Sequence, residues 1–394
     1  MSRIRVVQLV CGLAIGEHNG GAETFAVRLA GALDPMRFEV SVCSLWSYGG
    51  TAERCAEREL RERGIPVYFG GPHREKLRTD LIVGFVGISP IIRALRPDIL
   101  NTHAEYADLV GALLRRTTRT RLLVRTAHNV VEWPFAPHWE RYTRRLYPLA
   151  CDYEVAVSRA IVAILDARPM ARALGKRARF IPNAIHPHMI AARRTRRDMR
   201  AALGIPASAP LFGTVGRLSD QKGLPHLFAA MELVREQLPD ARLVVAGHGE
   251  RAEAYRALLA GRGQDAYITL LGPRPDAIDI VASLDVFVSS SLWEGLPTVI
   301  MEAMLVGTPV VATDIAGSRD LVIDGRTGRL APPGDSAALA RALVEHYRER
   351  ERARCMAAAA RQHVESFTIP RVAAEYGALY EALLRRTDRD RAED

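Results

Sequence analysis

The sequence Asp285–Pro309, DVFVSSSLWEGLPTVIMEAMLVGTP, has the pattern of a buried strand, a loop and a helix. Its first four residues are mainly apolar and β-branched, and the three serines that follow indicate a strand ending at an open edge. Pro297 suits the first turn of a helix, and Gly307 with Pro309 ends the helical composition that begins at Val299. A strand, loop and helix in this order is the repeating unit of a parallel α/β sheet.

The same unit recurs along the chain, because short apolar runs alternate with longer helical patterns from end to end. Neither set of strands shows strict alternation of apolar and polar residues, which is expected when helices cover both faces of a sheet. Strands are predicted at residues 5–10, 38–45, 66–69, 98–103, 121–128 and 153–158, and then at 210–218, 242–249, 266–273, 285–291 and 309–314. The predicted fold class is therefore α/β, with two doubly wound, Rossmann-like domains.

The length of 394 residues also favours two domains, since single hydrophobic cores stop growing near ~250 residues. A charged segment after Ile181 resembles a linker, so we expect domains at 1–190 and 191–369. The amphipathic stretch 370–386 predicts a helix that packs back on the first domain. Ligands of such sheets bind beyond the carboxyl ends of the strands, which predicts a site in a cleft between the domains.

The net charge of +9 is concentrated in the first half of the chain. Residues 1–200 hold 32 Lys and Arg against 19 Asp and Glu, and the remainder holds 22 against 26. A basic half predicts an acidic partner such as an anionic membrane surface or a phosphorylated substrate. Such runs are also common on solvated faces. The arginines form three groups: 115, 116, 119, 121 and 125; 141, 144 and 145; and 193, 194, 196, 197 and 200.

Five cysteines without a CxxC pair predict a reducing, cytoplasmic compartment. No stretch offers ~20 uninterrupted apolar residues, so no membrane-spanning helix is expected. The apolar run after Arg3 and Arg5 resembles a short signal sequence, but Gln8 interrupts it and a glycine-rich turn follows. We therefore expect a cytoplasmic protein, or one bound peripherally to the inner face of the membrane.

Glu294 and Glu302 are eight residues apart across the predicted strand-to-helix turn. The free amides and the dipole at the start of the helix favour an anion, for which a diphosphate is the obvious candidate. Two carboxylates beside an anion are consistent with this only if they accept hydrogen bonds from hydroxyl groups, as in a sugar or ribose. The alternative is that Glu294 caps the helix and Glu302 lies on its solvated face.

Two glycine-containing loops follow the first strands of the two domains. Gly20 and Gly21 precede a helical pattern, which suits either the approach of a phosphate to backbone amides or a simple tight turn. Arg217 and Lys222 lie in the loop that opens the second domain, and both side chains could reach one anion. The alternative for this loop is a hydrated surface turn.

His103 and His128 each end a predicted strand of the first domain, at the edge where ligands bind. A neutral imidazole there can contact a sugar hydroxyl or a developing charge, although a lone histidine is more often structural. His186 and His188 form an HxH pattern without neighbouring ligands, so no metal is predicted.

The ordered motifs resemble those of the retaining glycosyltransferases of family 4. The resemblance covers nearly the whole chain and is strongest over Phe212–Pro333. The motifs are GGAE near the start, then GRLSDQKG, AGHGE, LLGP, EGLPTVIME, GTPVVATDIAG and DGRTGRL. This family has the GT-B fold, in which two Rossmann-like domains face each other across a cleft, and it takes a nucleotide-sugar donor and no metal or other cofactor.

The resemblance implies a role for each matching residue. Arg217 and Lys222 would hold the donor diphosphate, Glu294 would bind hydroxyls of the donor sugar, and Glu302 would bind the ribose. His128 would be the active-site histidine near the sugar. Further donor contacts would come from Gly20, Gly21, Gly272, Arg274, Gly295, Leu296, Pro297 and Thr298. The acceptor would be a glycan, a lipid-linked saccharide or another hydroxyl compound, as in the synthesis of cell-surface polysaccharide or glycolipid.

The chain departs from the family pattern at two positions. Asp320 stands where a glutamate is frequent, and Asn19 stands where an aspartate is frequent. A nucleotide-sugar epimerase of the same shape is the alternative enzyme, and it would change a sugar without any acceptor. A basic nucleic-acid-binding protein is a remote alternative, because aromatic residues are only 6% of the chain and do not alternate with the arginines.

Overall fold

The computed structural model describes residues 3–15, 20–131, 133, 137–193, 195 and 199–393. The chain forms two units, Met1–Ala184 together with Ile369–Asp394, and Ile185–Thr368. Each unit has a parallel β-sheet covered by helices. None of the described helices has a stretch apolar and long enough to cross a lipid bilayer.

In the first unit the described residues form a seven-stranded sheet of order β3-β2-β1-β4-β5-β6-β7. Its strands are β1 Ile4–Val10, β2 Phe38–Ser44, β3 Val67–Phe69, β4 Ile99–His103, β5 Leu122–Ala127, β6 Tyr153–Ala156 and β7 Arg179–Phe180. All neighbours are parallel, and β1 pairs with both β2 and β4. The sheet is therefore doubly wound from β1.

Helices cover both faces of this sheet, so successive residues of β1 enter different cores. The helices are α1 Gly21–Ala32, α2 Thr51–Glu62, α3 Leu77–Leu95, α4 Glu105–Thr117, α5 Pro137–Ala150, α6 Arg159–Ala167 and α7 Pro169–Ala173. Val6 and Val10 pack with residues of α1, whereas Val7 and Leu9 pack with residues of α3 and α4. This two-sided burial explains why the strand sequence is apolar at nearly every position.

The described residues of the second unit form a six-stranded parallel sheet of order β10-β9-β8-β11-β12-β13. Its strands are β8 Leu211–Val215, β9 Arg242–Ala246, β10 Ile268–Gly272, β11 Val286–Ser289, β12 Val310–Thr313 and β13 Arg329–Ala331. Its helices are α8 Pro187–Arg193, α9 Met199–Ala202, α10 Leu224–Gln237, α11 Ala252–Gly261, α12 Ala277–Ser283, α13 Thr298–Val306, α14 Ala316–Arg319, α15 Ser336–Arg348 and α16 Arg350–Val364.

The last helix, α17 Ile369–Glu393, belongs to the first unit although it follows the second in sequence. It packs against α1. Val372, Tyr376 and Tyr380 are fully buried in the same core as Phe25 of α1. The first unit is therefore built from both ends of the chain.

The predicted α/β fold class is confirmed, and every strand expected from the sequence is present. Two strands, β7 and β13, were not predicted, and they contain only two and three residues. Runs this short have no measurable period, and they become strands because the neighbouring strand offers hydrogen-bonding groups.

Each sheet has a switch point, where the order of strands reverses. It lies between β1 and β4 in the first unit and between β8 and β11 in the second. Loops leaving the two central strands at such a point run in opposite directions and leave a crevice, which is where ligands of doubly wound sheets bind.

Candidate active site

Two loops of the second unit lie side by side at its switch point. One is residues 216–223 after β8, and the other is residues 290–297 after β11. Ser290 Oγ donates a hydrogen bond to the carbonyl oxygen of Lys222 at 2.8 Å. Gly223 has a φ of +57°, and a Cβ there would lie 2.4 Å from the carbonyl oxygen of Ser290. Glycine at this position therefore permits the close approach of the loops.

Lys222 and Glu294 form an ion pair where these loops meet. The Lys222 Nζ lies 2.6 Å from Glu294 Oε1. Ser291 Oγ donates to the same oxygen at 2.9 Å, and Gln221 Nε2 donates to Oε2 at 3.2 Å. Glu294 is only 8% exposed. Its carboxylate is thus held in a fixed orientation by three side chains, whereas the sequence had left open that it caps the following helix.

Arg217 lies just after the end of β8, as predicted, but its side chain is directed to a different carboxylate. Its Nε lies 3.1 Å from Glu250 Oε2, and the side chain is 67% exposed. The neighbouring turn is tight, because a Cβ on Gly247 would lie 1.9 Å from the carbonyl oxygen of Gly216. The arginine is therefore paired at the surface, while Lys222 is paired in a more enclosed position.

The helix after Glu294 begins where the sequence predicted, with Pro297 as its N-cap and Thr298 as its first residue. Gly295, Leu296 and Pro297 are buried in the loop that leads to it. Glu302 lies in the second turn of α13 and is half-buried. The backbone beside Glu294 thus leads directly into the start of a helix, where amide groups favour an anion.

Gly272 is the last residue of β10 and Arg274 follows it, and the strands β9 and β8 lie between β10 and β11 in the sheet. Gly272 has a φ of +69°, and its carbonyl oxygen accepts a hydrogen bond from the Gly247 amide at 2.8 Å. Arg274 makes a two-pronged ion pair with Asp276, through Nε at 2.7 Å and Nη2 at 2.6 Å. These residues are positioned by their own loop and by the loop after β9.

In the first unit, Gly20 is the N-cap of α1 and Gly21 is its first residue. Both are exposed, and a Cβ on either would meet no atom of the described residues within 4 Å. The Glu23 carboxylate accepts a hydrogen bond from the Gly20 amide at 3.1 Å. Asn19, which departs from the family pattern, lies outside the described residues. The start of α1 is thus open, as a phosphate-binding turn requires.

His103 and His128 are in contact at the carboxyl ends of β4 and β5. His103 Nδ1 lies 3.0 Å from His128 Nε2. His103 is fully buried, whereas His128 is 7% exposed and lines a small cavity with Glu105, Asp108 and Asn129. Of the two histidines, the structure places His128 at the accessible end. Phe25 packs edge-on against its ring, with ring centroids 5.4 Å apart.

Burial keeps both imidazoles neutral. It lowers the pKa of His128 to about 3; a hydrogen bond that the imidazole donates to Asn183 opposes this lowering, and the charge of Arg125 adds to it. Burial, and then the neighbouring His128, lower the pKa of His103 well below its ordinary value. The exposed end of the pair is therefore a neutral hydrogen-bonding group.

Two buried polar residues behind the histidines were not identified as site residues from the sequence. Gln8 Oε1 is 2.8 Å from His103 Nε2 and 3.0 Å from Asn101 Nδ2. Gln8 and Asn101 are paired in register between β1 and β4. The signal was present in the sequence, since each is a polar residue within an apolar strand that is buried on both faces, where such groups need partners.

A buried ion network lies beside His128. Arg125, which is 1% exposed, bonds through Nε to Asp108 at 2.7 Å and through Nη1 to Glu154 at 2.9 Å. Arg168 also pairs with Glu154. Burial raises the pKa of the Glu154 carboxyl, but the two arginines more than offset this and hold the pKa below its ordinary value. The assignment of Arg125 to a basic surface cluster was therefore wrong, because its charge is buried and compensated.

Two family models match the chain. The one described as Glycosyltransferase Family 4 matches residues 19–189, and the one described as Glycosyl transferases group 1 matches residues 209–349. Between them they cover both units in the order that the resemblance predicts. The chain belongs to glycosyltransferase family 4.

Curated relatives of this glycosyltransferase align along most of its length. It is 28% identical over 388 residues to the 2-deoxystreptamine N-acetyl-D-glucosaminyltransferase of Streptomyces fradiae, covering 91% of the chain and 88% of the relative. It is 27% identical over 391 residues to a D-inositol 3-phosphate glycosyltransferase of Corynebacterium aurimucosum, covering 92% of the chain and 90% of the relative.

Solved structures share the fold of the glycosyltransferase. HepE of Anabaena, crystallised with UDP and glucose, superposes with a TM-score of 0.79 at 21% identity, covering 96% of this chain and all of HepE. Sucrose-phosphate synthase of Thermosynechococcus elongatus superposes with a TM-score of 0.81 at 22% identity, covering 98% and 100%. The predicted GT-B class of fold is thereby confirmed.

The remaining arginines of the glycosyltransferase's basic clusters differ in their surroundings. Arg115 pairs with Asp152, Arg121 with Asp98, and Arg200 with Asp285. Arg116, Arg119, Arg141 and Arg145 are exposed. The side chains of 193, 194, 196 and 197 lie outside the described part of the chain. Among described residues, no three side chains of His, Cys, Asp or Glu are grouped as metal ligands would be.

Proposed function

We propose that this glycosyltransferase moves a sugar from a nucleotide-sugar donor to a hydroxyl acceptor with retention of anomeric configuration. The observation that carries the proposal is the ion pair of Lys222 and Glu294 at the switch point of the second unit, directly before the start of α13. A cation, a carboxylate and the start of a helix, brought together where two loops meet, match the diphosphate and hydroxyl groups of such a donor.

In the proposed complex, Lys222 and Arg217 hold the diphosphate, and the amides of Gly295, Leu296 and Thr298 lie along it. Lys222 has three N–H donors, so it can bond to a phosphate oxygen while keeping its contact with Glu294. Glu294 then accepts hydrogen bonds from sugar hydroxyls, and Glu302 accepts them from the ribose. Gly272 and Arg274 border the base. Pro297, at the end of the 290–297 loop, lies with its neighbours along the phosphate and sugar.

Catalysis requires that the nucleoside diphosphate leave as the acceptor hydroxyl attacks. The charge that develops on the departing diphosphate is stabilised by the cations of Lys222 and Arg217, and by the helix amides. Glu294 is a binding group rather than the nucleophile. In the first unit, Gly20 and Gly21 provide phosphate contacts, and the neutral imidazole of His128 contacts the sugar.

UDP complexes of HepE, which shares the fold, support the choice of ligand class. We therefore test a thermal-shift panel of UDP-, GDP- and ADP-sugars. A donor present at 100 times its Kd adds about 2.7 kcal/mol to the free energy of unfolding, which is readily measured. If no nucleotide-sugar raises the Tm, the donor assignment is wrong. Retention is tested separately, by the anomeric configuration of the product in NMR spectra.

The acceptor is proposed to be a glycan or lipid-linked saccharide that the protein meets at an anionic membrane surface. The supporting observation is the exposed side chains of α3, α4 and α5, of which α4 packs against both of the others. The exposed apolar side chains of these helices are Leu77, Ile82, Val86, Leu113, Tyr142, Leu146 and Leu149. Exposed arginines are 78, 93, 116, 141, 144 and 145, whereas Asp80 and Asp108 of the same helices are buried. Apolar and basic groups together suit an anionic lipid surface.

Liposome flotation tests this part of the proposal. We expect binding to vesicles that contain anionic lipid, weakened by salt and by the double variant Ile82→Ser, Val86→Ser. Met36→Ser is the matched control, since Met36 is 84% exposed but lies outside these helices. Flotation that does not depend on anionic lipid, salt or the Ile82 and Val86 side chains would remove the membrane from the proposal.

A further inference from the structure

A recess of about 390 Å³ opens at the amino edge of the first unit's sheet, where α3 and α4 end. Its lining consists of Arg93, Arg96, Arg116, Thr117, Thr118 and Arg119. These residues precede β4 and β5, whereas His103 and His128 lie at the carboxyl ends of the same two strands. The recess is therefore at the opposite edge of the sheet from the histidine pair, and the proposed function assigns it no role.

The positive charge of this recess is not compensated by acidic groups. Its four arginines are exposed, and none of them forms an ion pair with a described residue. Neighbouring arginines differ, since Arg115 pairs with Asp152 and Arg121 with Asp98. The C-termini of α3 and α4 contribute about −0.5 charge each, which leaves a charge of about +3 in the recess. A charge of this size favours an anion that carries more than one negative charge.

Hydrogen bonds hold together the two chain segments that carry these arginines. The Nε of Arg93 donates to the carbonyl oxygen of Thr117 at 3.3 Å, which joins the end of α3 to the end of α4. The amide of Arg121 donates to the carbonyl oxygen of Pro97 at 3.3 Å, which joins the loops that follow these helices. The recess is therefore formed before a ligand binds, and this lowers the entropic cost of binding.

Arg96 has a backbone conformation that is unfavourable for any residue with a side chain. It is the C-cap of α3, with φ +47° and ψ +58°. Glycine is the usual residue in this left-handed region, because a Cβ is strained there. Glu75 and Ala104 are the other described non-glycine residues with positive φ. An arginine at a strained position indicates a use for its side chain.

We infer that this recess is a binding site for a phosphate group with at least two negative charges, as in a phosphomonoester or a diphosphate. Guanidinium groups match phosphate because their N–H donors bond to two of its oxygens at once. A phosphate with two or three charges offsets most of the charge of the recess, whereas a single carboxylate offsets far less. The same phosphate chemistry occurs in soluble molecules and in lipid head groups. This inference does not rest on the proposed function.

Isothermal titration calorimetry with inorganic pyrophosphate tests the soluble form of this ligand. The double variant Arg96→Gly, Arg116→Ala removes two charges from the recess. The matched control is Arg58→Ala, Arg172→Ala, because both are exposed arginines of the first unit that form no ion pair with a described residue. We expect binding at the recess to weaken at least tenfold in the double variant and to be unchanged in the control.

Pyrophosphate can also occupy the proposed donor site in the second unit, which both sets of substitutions leave intact. The number of bound pyrophosphates separates the two sites. The recess accounts for a site that the double variant loses and the control keeps, whereas a site present in all three proteins lies elsewhere. Failure of the donor assignment therefore does not affect the test of the recess.

Vesicle flotation tests the lipid form of the ligand. Phosphatidic acid has a phosphomonoester head group, whereas phosphatidylglycerol has a phosphodiester with a single charge. If the ligand is a lipid, vesicles with phosphatidic acid bind the full-length protein better than vesicles with phosphatidylglycerol at equal surface charge, and the double variant loses this preference. If the ligand is soluble, pyrophosphate binds the recess and the vesicles show no such preference.

The single variant Arg96→Gly distinguishes ligand binding from a purely structural role of the arginine. We expect weaker binding of pyrophosphate with an unchanged or higher urea midpoint of unfolding, because glycine relieves the strain at φ +47°. A lower midpoint with unchanged binding would show that Arg96 only caps the helix. The inference is overturned if neither pyrophosphate nor phosphatidic acid binds selectively, or if the double variant and its control lose binding equally.

Discussion

Lys222 forms an ion pair with Glu294. A diphosphate bound there would therefore share the Lys222 ammonium group with the Glu294 carboxylate. The 2.6 Å contact and the two further donors, Gln221 and Ser291, hold Glu294 ready before a ligand arrives. Preorganised groups of this kind accelerate reactions because they need no rearrangement as charge develops. Of the two glutamates that the sequence singled out, Glu294 and Glu302, the first therefore has Lys222 as its direct partner.

Glu294→Gln is expected to lower turnover about tenfold or more while the fold is retained. The amide keeps the size of the side chain but removes the charge that orients Lys222 and accepts hydrogen bonds from two hydroxyls. Steady-state kinetics with the active donor and circular dichroism measure the two effects. Unchanged kcat and KM would show that Glu294 does not contact the donor.

Arg217→Ala should weaken donor binding, read as a smaller thermal shift with the active nucleotide-sugar. The matched control is Arg256→Ala, because Arg256 is also an exposed arginine of the second unit paired with a glutamate. If both variants bind the donor like the wild type, Arg217 has no role in holding the diphosphate.

Gly223→Ala is expected to destabilise the second unit more than Gly263→Ala. Both glycines have positive φ, +57° and +63°, so both variants incur the backbone strain of about 1–2 kcal/mol. Only at Gly223 would the new Cβ lie 2.4 Å from the Ser290 carbonyl, whereas nothing lies within 4 Å at Gly263. Urea unfolding of the two variants isolates the contact, and equal losses would show that the loops adjust freely.

At the scale of elements, the sequence predicted every described strand except the short β7 and β13, together with the helix that follows Glu294. It could not predict partners. The contact of Lys222 with Glu294 joins loops that are 72 residues apart, and the contact of His103 with His128 joins neighbouring strands. Such pairings depend on strand order, which no local pattern encodes. The roles assigned to these residues remain predictions.

The buried ion network that ties β5 to α4 and β6 gives a prediction about stability. Arg125→Met leaves Asp108 and Glu154 buried with much of their compensating charge removed, which costs about 3–5 kcal/mol in comparable cases. Chemical denaturation measures this loss. The control Arg63→Met breaks an exposed pair with Glu59 and should have little effect. A small loss at Arg125 would show that water or neighbouring groups reach the acids.

At the scale of the whole molecule, stability should fall as the solution is acidified below about pH 6.5, the ordinary pKa of histidine. Burial lowers the pKa of His128 to about 3 and that of His346 to about 4, and it lowers the pKa of His103 well below its ordinary value. Between these values the unfolded chain binds protons that the folded chain does not. Each histidine therefore removes about 1.4 kcal/mol of stability per pH unit within this window.

Urea unfolding at about pH 7 and pH 5 measures this dependence of the free energy of unfolding on pH. His346→Gln should reduce this dependence on pH, because burial lowers the pKa of His346 to about 4. A stability that is constant over this range would mean that the buried histidines are protonated in the folded protein, contrary to the neutral pair described here.

The core of the first unit includes α17, and deleting that helix tests how much it contributes to the stability of the unit. A chain ending at Thr368 lacks Val372, Tyr376 and Tyr380, all fully buried in the core of the first unit. We expect rapid hydrogen exchange in β1 and β4 of this variant but retained protection in β8 and β11. A chain ending at Arg386 is the control, and protection of β1 in the longer deletion would contradict the expected role of the helix.

The placement of α17 also has a consequence for how the protein is made. On the ribosome, the residues of the first unit emerge before the second, yet the helix that completes their core is translated only after the second unit. The second unit is continuous in sequence and can fold as soon as it leaves the exit tunnel. The core of the nascent first unit therefore remains incomplete, with apolar surface uncovered, until the second unit and then α17 have been synthesised.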